Sequence, residues 1–442
     1  MNKIQPGLCN RFENRDERDG GSFDAKAADN GKSIGKGFAD KNVPYLLTNS
    51  ESYCKIRVKI CHIITQLEFG GAQLATLHTV DKLNKDIFEV SLISGVGGIL
   101  DETAKQIPGI KNYFVKELVR QISPCNDIVC IYKIWKLLRF LKPGVVHTNS
   151  SKAGILGRIA AKLACVPVII HTFHGFGFND YEGKLKKTIF LMSEKLIAPI
   201  TNKFIAVSND NISTAIANHI GKKDKYVLIR CGIKTNSYFE NKTDVEALKK
   251  SLNIPANKSV ITTIGPFKPQ KNLLDYIKVA SEVLGGNENC IFLVVGDGKG
   301  RKDLEMEIKA LSLENKVLLL GWRKDIPDIL AMTDIFVMTS LWEGLPRTIL
   351  EAMCSSKPVV ANAVDGVREI VYEGETGFQI TPRDVSTMSE KILYLLNNPE
   401  VALRFGQNAK NKMTKEFDID YMVIQQEQLY KQLTNTLERG LK

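Results

Sequence analysis

Trp342-Glu343-Gly344-Leu345-Pro346-Arg347-Thr348-Ile349-Leu350-Glu351-Ala352-Met353 carries two carboxylates eight positions apart, with a glycine and a proline between them. Proline in a first helical turn loses no needed hydrogen bond and presets the backbone angle. The spacing therefore predicts a helix starting near Pro346, with unpaired N–H groups at Gly344 and Leu345. A helix start carries about half a positive charge, and with those donors it suits a diphosphate. Glu343 precedes the helix and Glu351 lies inside it, about 7 to 8 Å along the axis. One carboxylate can then reach a sugar and the other a ribose.

The 442 residues exceed one ordinary core and fit two domains facing across a cleft. Apolar residues at 44% and charged residues at 25% are ordinary for a globular protein, and no stretch reaches the roughly 18 to 20 apolar residues of a membrane span. Nine scattered cysteines without a Cys-x-x-Cys pair point to reduced thiols rather than disulfides or zinc. Residues 1–52 hold eight basic and eight acidic side chains and few large apolar ones, so a flexible tail is expected there, with no signal-peptide core. An intracellular location follows as an expectation. The net charge of +11 then belongs to the remainder and favours an acidic partner: anionic lipid, nucleic acid or a phosphorylated substrate.

Residues 56–67 read as a buried strand, and Gly70-Gly71-Ala72-Gln73 leads into a helix through Leu83. Apolar runs at 88–94, 145–148, 166–172 and 203–207 alternate with helical patterns at 127–141, 152–164 and 183–200, the signature of a parallel α/β sheet. Hydrophobic density falls over 232–256. A second strand series follows at 260–265, 291–295, 316–320, 334–338 and 358–361, then a long helical pattern from Asp420 to Leu437. The expected organisation is a tail (1–52), a first Rossmann-like domain (53–235), a connection (236–256), a second such domain (257–419) and a C-terminal helix (420–442) crossing back to the first.

Ser340-Leu341-Trp342-Glu343-Gly344-Leu345-Pro346, then Glu351-Ala352-Met353 and Lys357-Pro358-Val359-Val360-Ala361, resemble the signature of retaining glycosyltransferases of family 4. The resemblance covers roughly residues 56–437 and implies the GT-B fold, two facing Rossmann-like domains. It implies a nucleoside-diphosphate sugar as co-substrate, with a UDP-hexose or UDP-N-acetylhexosamine expected, and no metal. By the same resemblance Glu351 binds the ribose hydroxyls, Glu343 lies against the donor sugar, and Lys271 neutralises the diphosphate as charge grows on the leaving oxygen. Many relatives have arginine at the position of Pro266; Lys268 is the nearest substitute here, or a solvated surface lysine.

Gly70 and Gly71 resemble a glycine turn that lets the backbone approach the donor. Gly296 and Gly298 resemble a turn near its phosphates and base. Trp322 and Arg323 fall where relatives hold the base, with simple packing the alternative for Trp322. Asp365 stands in a donor-side loop where glycine is common. His174 matches a histidine beside the donor sugar with a positioning role, the alternative being a structural strand cap; His171 reads as core, and the His171-x-x-His174 pair lacks the carboxylates or cysteines of a metal site.

In the first half, Ser150, Ser151 and Lys152 at a helix start form an anion-ready arrangement and are the expected acceptor contacts. The 147–154 and 171–178 segments look similar to bacterial polysaccharide-assembly members of the family, which implies a polyprenyl-diphosphate-linked glycan acceptor. Lysines and bulky apolar residues over 183–192, with Lys222, Lys223 and Lys225, suit the inner face of an anionic membrane, or else the apolar side chains face the core and the lysines are solvated. No basic stripe interleaved with aromatics suggests nucleic acid. A GT-B UDP-sugar epimerase and a non-catalytic nucleotide-binding protein are the competing readings.

Overall fold

The computed structural model describes residues 57–178, 181 and 183–440; the tail expected at 1–52 lies outside them. The first sheet is built from β1 (Val58–Ile64), β2 (Phe88–Ser94), β3 (Ile110–Phe114), β4 (Val145–Asn149), β5 (Val168–Phe173), β6 (Lys203–Ala206) and β7 (Tyr226–Leu228). They run parallel in the order β3-β2-β1-β4-β5-β6-β7. The second holds β8 (Ser259–Ile264), β9 (Cys290–Val295), β10 (Val317–Gly321), β11 (Ile335–Met338), β12 (Val359–Asn362) and β13 (Gly377–Ile380), parallel in the order β10-β9-β8-β11-β12-β13. The expected α/β arrangement of two parallel-sheet domains is the one observed.

Central strands are near-continuous apolar runs because helices cover both faces of each sheet. β9 is buried along its whole length, Cys290 to Val295. Three strands that the apolar pattern did not reveal, β3, β7 and β13, all lie at sheet edges. β3 and β7 are only partly buried, so their sequences carry little hydrophobic signal.

The helix Ile419–Gly440 follows the second sheet in sequence but packs on the first. Its Tyr430 hydroxyl lies 2.6 Å from Nδ1 of His147, whose Nε2 lies 2.6 Å from the Thr172 hydroxyl. His147 pairs in register with His62 across β1 and β4. Burial pushes both imidazoles down, His62 to about 3, so this polar seam stays uncharged under the helix. The chain passes between the domains twice, and the two passages hydrogen-bond each other: Ile233 N donates to Phe417 O and Ile419 N to Ile233 O, both at 2.9 Å. One apolar cluster joins residues of both sheets, including Ile64, Val207, Ile264, Val295 and Leu345.

Gly232 sits where the two passages touch: a Cβ there would lie 2.4 Å from the Asp418 carbonyl carbon and the Ile419 nitrogen. Backbone cannot yield as a flexible side chain does, so Gly232→Ala is expected to cost about 1–3 kcal/mol and lower the Tm by several degrees. A Tm unchanged within one degree by calorimetry would show that the passages separate freely.

Candidate active site

In each sheet the strand order reverses between two neighbouring strands, β1 and β4 in the first, β8 and β11 in the second. Ligands of open parallel sheets bind beyond the carboxyl ends of such strands. Here the two switch points open onto one cavity of about 420 Å³, lined from the first domain by Phe69 to Leu74, Arg120 and His174, and from the second by Ile264 to Pro266, Lys268, Lys271, Trp322, Arg323 and Glu343 to Thr348, with Glu351.

The loops after β8 and β11 are laced together. Leu341 N donates to Gln270 O and Gln270 Nε2 to Trp342 O, each at 2.8 Å, and the Thr339 hydroxyl donates to Lys271 O at 2.9 Å. This lacing sets the Lys271 ammonium 2.5 Å from Glu343 Oε1, both groups nearly buried. The Glu343 N–H donates to Asp365 Oδ2 at 2.6 Å. Among the described residues the N–H groups of Gly344 and Leu345 donate to no acceptor, and the helix Arg347–Cys354 begins directly after Pro346, as the quoted stretch predicts.

Glu351, one helical turn inside, faces the cavity beside the Tyr238 hydroxyl; burial raises its pKa, while Arg347 acts in the opposite sense. His174 Nε2 lies 3.2 Å from Asn149 Oδ1, which accepts its proton and leaves Nδ1 as an acceptor. Burial, with Arg347 nearby, pulls the imidazole down to about 4, so it is neutral at physiological pH. Gly71 leaves room for Arg347: a Cβ there would stand 3.3 Å from Arg347 Cδ. Trp322, 44% exposed, packs against Phe69 of the other domain with ring centroids 5.2 Å apart, so packing and cavity lining coincide in one residue. Arg323 is held by Asp325 at 2.9 Å. Lys268 Nζ lies 3.2 Å from Glu68 Oε2, which also holds Arg120 Nη2 at 2.7 Å.

Five expected contacts fall elsewhere. Gly296 and Gly298 do not line the cavity. They support the Gly265–Phe267 turn from behind, at φ 136° and 157°, where a Cβ would come within 2.0 Å of Gly265 O and 2.9 Å of Phe267 O. The Ser150 hydroxyl pairs with the Thr65 hydroxyl at 2.7 Å, and Ser151 packs on Gly177. Lys152 is buried, ion-paired with Asp127 at 2.6 Å and donating to Gln121 O. A helix start with serines and lysine looks open to an anion, but here it braces β1 against β4.

Sequence reasoning passed over Arg347, Arg120, Glu68 and Tyr238. Arg347 did carry a signal, a cation in the first turn of a helix against the dipole preference, and its buried Nε has no partner among the described residues. Arg120 and Glu68 sit in loops with no pattern around them.

Residues 69–237 match the sequence family described as Glycosyltransferase Family 4, and residues 244–412 that described as Glycosyl transferases group 1. The UDP-Gal:alpha-D-GlcNAc-diphosphoundecaprenol alpha-1,3-galactosyltransferase of Escherichia coli is 32% identical over 379 residues, 85% of this chain and 97% of that protein. The capsular polysaccharide biosynthesis glycosyltransferase CapM of Staphylococcus aureus is 24% identical over 84% of this chain and 96% of its own length. Among solved structures, Anabaena HepE in complex with UDP and glucose shares the fold with a TM-score of 0.73 at 22% identity, over 85% of this chain and all of that one.

Asp365 has φ 39° and accepts the Glu343 N–H; burial pushes its carboxyl up from 3.8 to about 6, with Asp210 and Glu343 adding to the rise and Arg368 opposing it. A raised folded-state pKa means that the native state keeps this proton longer than the unfolded chain. The group's contribution to stability therefore falls as pH rises from about 4 to 6 and stays low above. Asp365→Asn retains an accepting oxygen and cannot ionise. Its Tm relative to wild type is expected to climb by a few degrees between pH 4 and 6 and then level off; a difference constant with pH would show that another group titrates.

Proposed function

This chain belongs to the family 4 glycosyltransferases, and we propose that it moves a sugar, with retention of anomeric configuration and without a metal, from a UDP-sugar to a lipid-diphosphate-linked glycan in surface polysaccharide assembly. The observation that carries the reading is the Lys271–Glu343 pair at a helix start whose Gly344 and Leu345 N–H groups are free to bind an anion.

In this reading the donor diphosphate lies on the Gly344 and Leu345 N–H groups, with Lys271 at the leaving oxygen and Lys268 as the second cation that Pro266 does not supply. Charge develops on that oxygen as the glycosidic bond breaks, so fixed donors act more strongly on the transition state than on bound donor. Glu343, oriented by Lys271 and by its N–H bond to Asp365, meets a hydroxyl of the sugar. Glu351 takes the ribose, and Trp322 and Arg323 flank the base. Neutral His174 offers Nδ1 to a sugar hydroxyl and supplies no proton. The acceptor hydroxyl attacks from the face the diphosphate leaves, and a departing phosphate oxygen takes its proton. The diphosphoundecaprenol-linked acceptor of the E. coli relative and the sequence's own pattern support the acceptor class.

We propose further that the enzyme works against an anionic membrane surface. Among the described residues no helix is long and apolar enough to cross a membrane. The helices Pro124–Leu141, Ser151–Leu163 and Lys184–Ile197 lie side by side and together carry ten basic and two acidic residues. Both acids are committed to internal pairs, Asp127 to Lys152 and Glu194 to Arg158. Ile128, Tyr132, Phe140, Leu185, Ile189, Met192 and Leu196 on the outer two helices are exposed, an apolar and cationic face suited to anionic lipid.

Lys271→Ala is expected to lower kcat/KM by at least 100-fold in a variant that still folds by circular dichroism, with a Tm lowered by several degrees because Glu343 loses its counter-ion, and wild-type transfer to be indifferent to EDTA. Full activity of the variant, loss with chelator, or isomerisation of the UDP-sugar without an acceptor would each overturn the assignment. Leu185→Glu with Ile189→Glu is expected to reduce sedimentation with phosphatidylglycerol vesicles at least tenfold; equal binding by wild type and variant would remove the membrane face.

A further inference from the structure

The cations around the cavity are not equally committed. Lys271 has Glu343 to itself, Arg323 has Asp325, and Arg347 lies near Glu351 and the Gly71 carbonyl. Arg120 and Lys268 share a single carboxylate, and both meet the same oxygen, Glu68 Oε2, at 2.7 and 3.2 Å. That leaves one positive charge in excess at the cavity mouth. The three residues come from three loops: Glu68 after β1, Arg120 after β3, and Lys268 after β8 in the other domain.

Lys268 faces the donor turn, whereas Arg120 stands on the first-domain side and its side chain is 44% exposed. Exposed apolar residues follow it closely in the chain. Ile122, two residues on, is 45% exposed, and the helix Pro124–Leu141 continues the exposure with Ile128, Val129 and Tyr132. A partly exposed guanidinium that lines the cavity and is followed within a few residues of chain by an exposed apolar helix face matches a ligand with a diphosphate head and a hydrocarbon chain. It has no such match in a nucleotide sugar, which has no chain to lay along Ile122 and Ile128. Planar, bidentate binding of phosphate oxygens is what guanidinium does better than ammonium.

We propose that Arg120 is the residue that binds the diphosphate of the lipid-linked acceptor, with Glu68 as its resident counter-ion, displaced when that diphosphate arrives, and with Ile122, Ile128, Val129 and Tyr132 as the path of the first isoprene units. The proposal rests on the transferase reading of the cleft and adds to it the group that selects the acceptor. Displacement also frees Lys268 from Glu68, so acceptor binding releases a cation to the donor side.

The test compares two acceptors that carry the same sugar, one on a short polyprenyl diphosphate and one on a neutral alkyl chain of similar length, for wild type, Arg120→Ala, Arg120→Lys and Glu68→Gln. Wild type is expected to prefer the diphosphate by at least tenfold in kcat/KM, chiefly through KM. Arg120→Ala is expected to raise the KM for the diphosphate acceptor at least tenfold and abolish the preference. Arg120→Lys should recover part of it, and Glu68→Gln should lower that KM severalfold. A wild type indifferent to the diphosphate, or an Arg120→Ala variant that loses activity equally on both acceptors, overturns the proposal. The neutral acceptor separates the two levels: wild-type transfer onto it upholds the transferase reading even where the Arg120 assignment fails, and transfer onto neither acceptor removes both.

Discussion

Backbone meets backbone at Gly344, and the cleft is arranged around that contact. A Cβ on Gly344 would stand 2.3 Å from the carbonyl oxygen of His174 in the other domain, and a Cβ on Gly366 would stand 2.3 Å from the carbonyl oxygen of Gly344. Three loops, after β5, β11 and β12, are thus stacked at main-chain distance with no side chain between them. Gly366 N donates to Gly344 O at 3.1 Å, which holds the stack in one register. Because the middle layer is pinned on both faces, the Glu343 N–H can reach only Asp365 and the Glu343 side chain turns to Lys271. The geometry of the first carboxylate follows from a close approach that only glycine permits.

Around this stack the charges come as pairs that span loops. An unpaired ion in a partly buried cleft costs several kcal/mol in lost hydration, so the cations are set against carboxylates that offset that cost and fix their direction, with Arg120 and Lys268 sharing one. Lys271 and Glu343 join the loops after β8 and β11. Glu68 joins the loops after β1 and β3 to the second domain through Arg120 and Lys268. Arg230 meets Glu369 at 3.0 Å, while the Asp210 N–H donates to the same carboxylate at 2.6 Å, which ties the domains on the far side of Gly366. These pairs fix the direction of the cations and tie together loops that are distant in the chain.

The C-terminal helix makes the two domains one structure at their back edge. It enters beside Ile233, where the two passages hydrogen-bond, and crosses the neutral His62–His147 seam of the first sheet at Tyr430. With one apolar cluster running through both sheets, the cleft opposite is bounded by a continuous core.

The stretch Trp342 to Met353 was legible because its meaning is local: proline sets a helix start, the helix start sets two N–H groups, and the helix rise sets the distance between the carboxylates. Central strands were legible because burial on both faces demands unbroken apolar runs. Edge strands β3, β7 and β13 were not, since a strand at a sheet margin needs little hydrophobic signal to be held by its neighbour. Nor could local pattern say that Lys152 is spent on Asp127, that Gly296 and Gly298 sit behind a turn rather than at a ligand, or that Arg120, Glu68 and Lys268, up to 200 positions apart, meet at one oxygen. By itself the sequence determined the two α/β sheets and the nucleotide-sugar signature, which depend on residues a turn or a strand apart. The tertiary structure alone decided which cation faces which anion, because a charge is placed by the loops folded against it and those loops are distant in the chain.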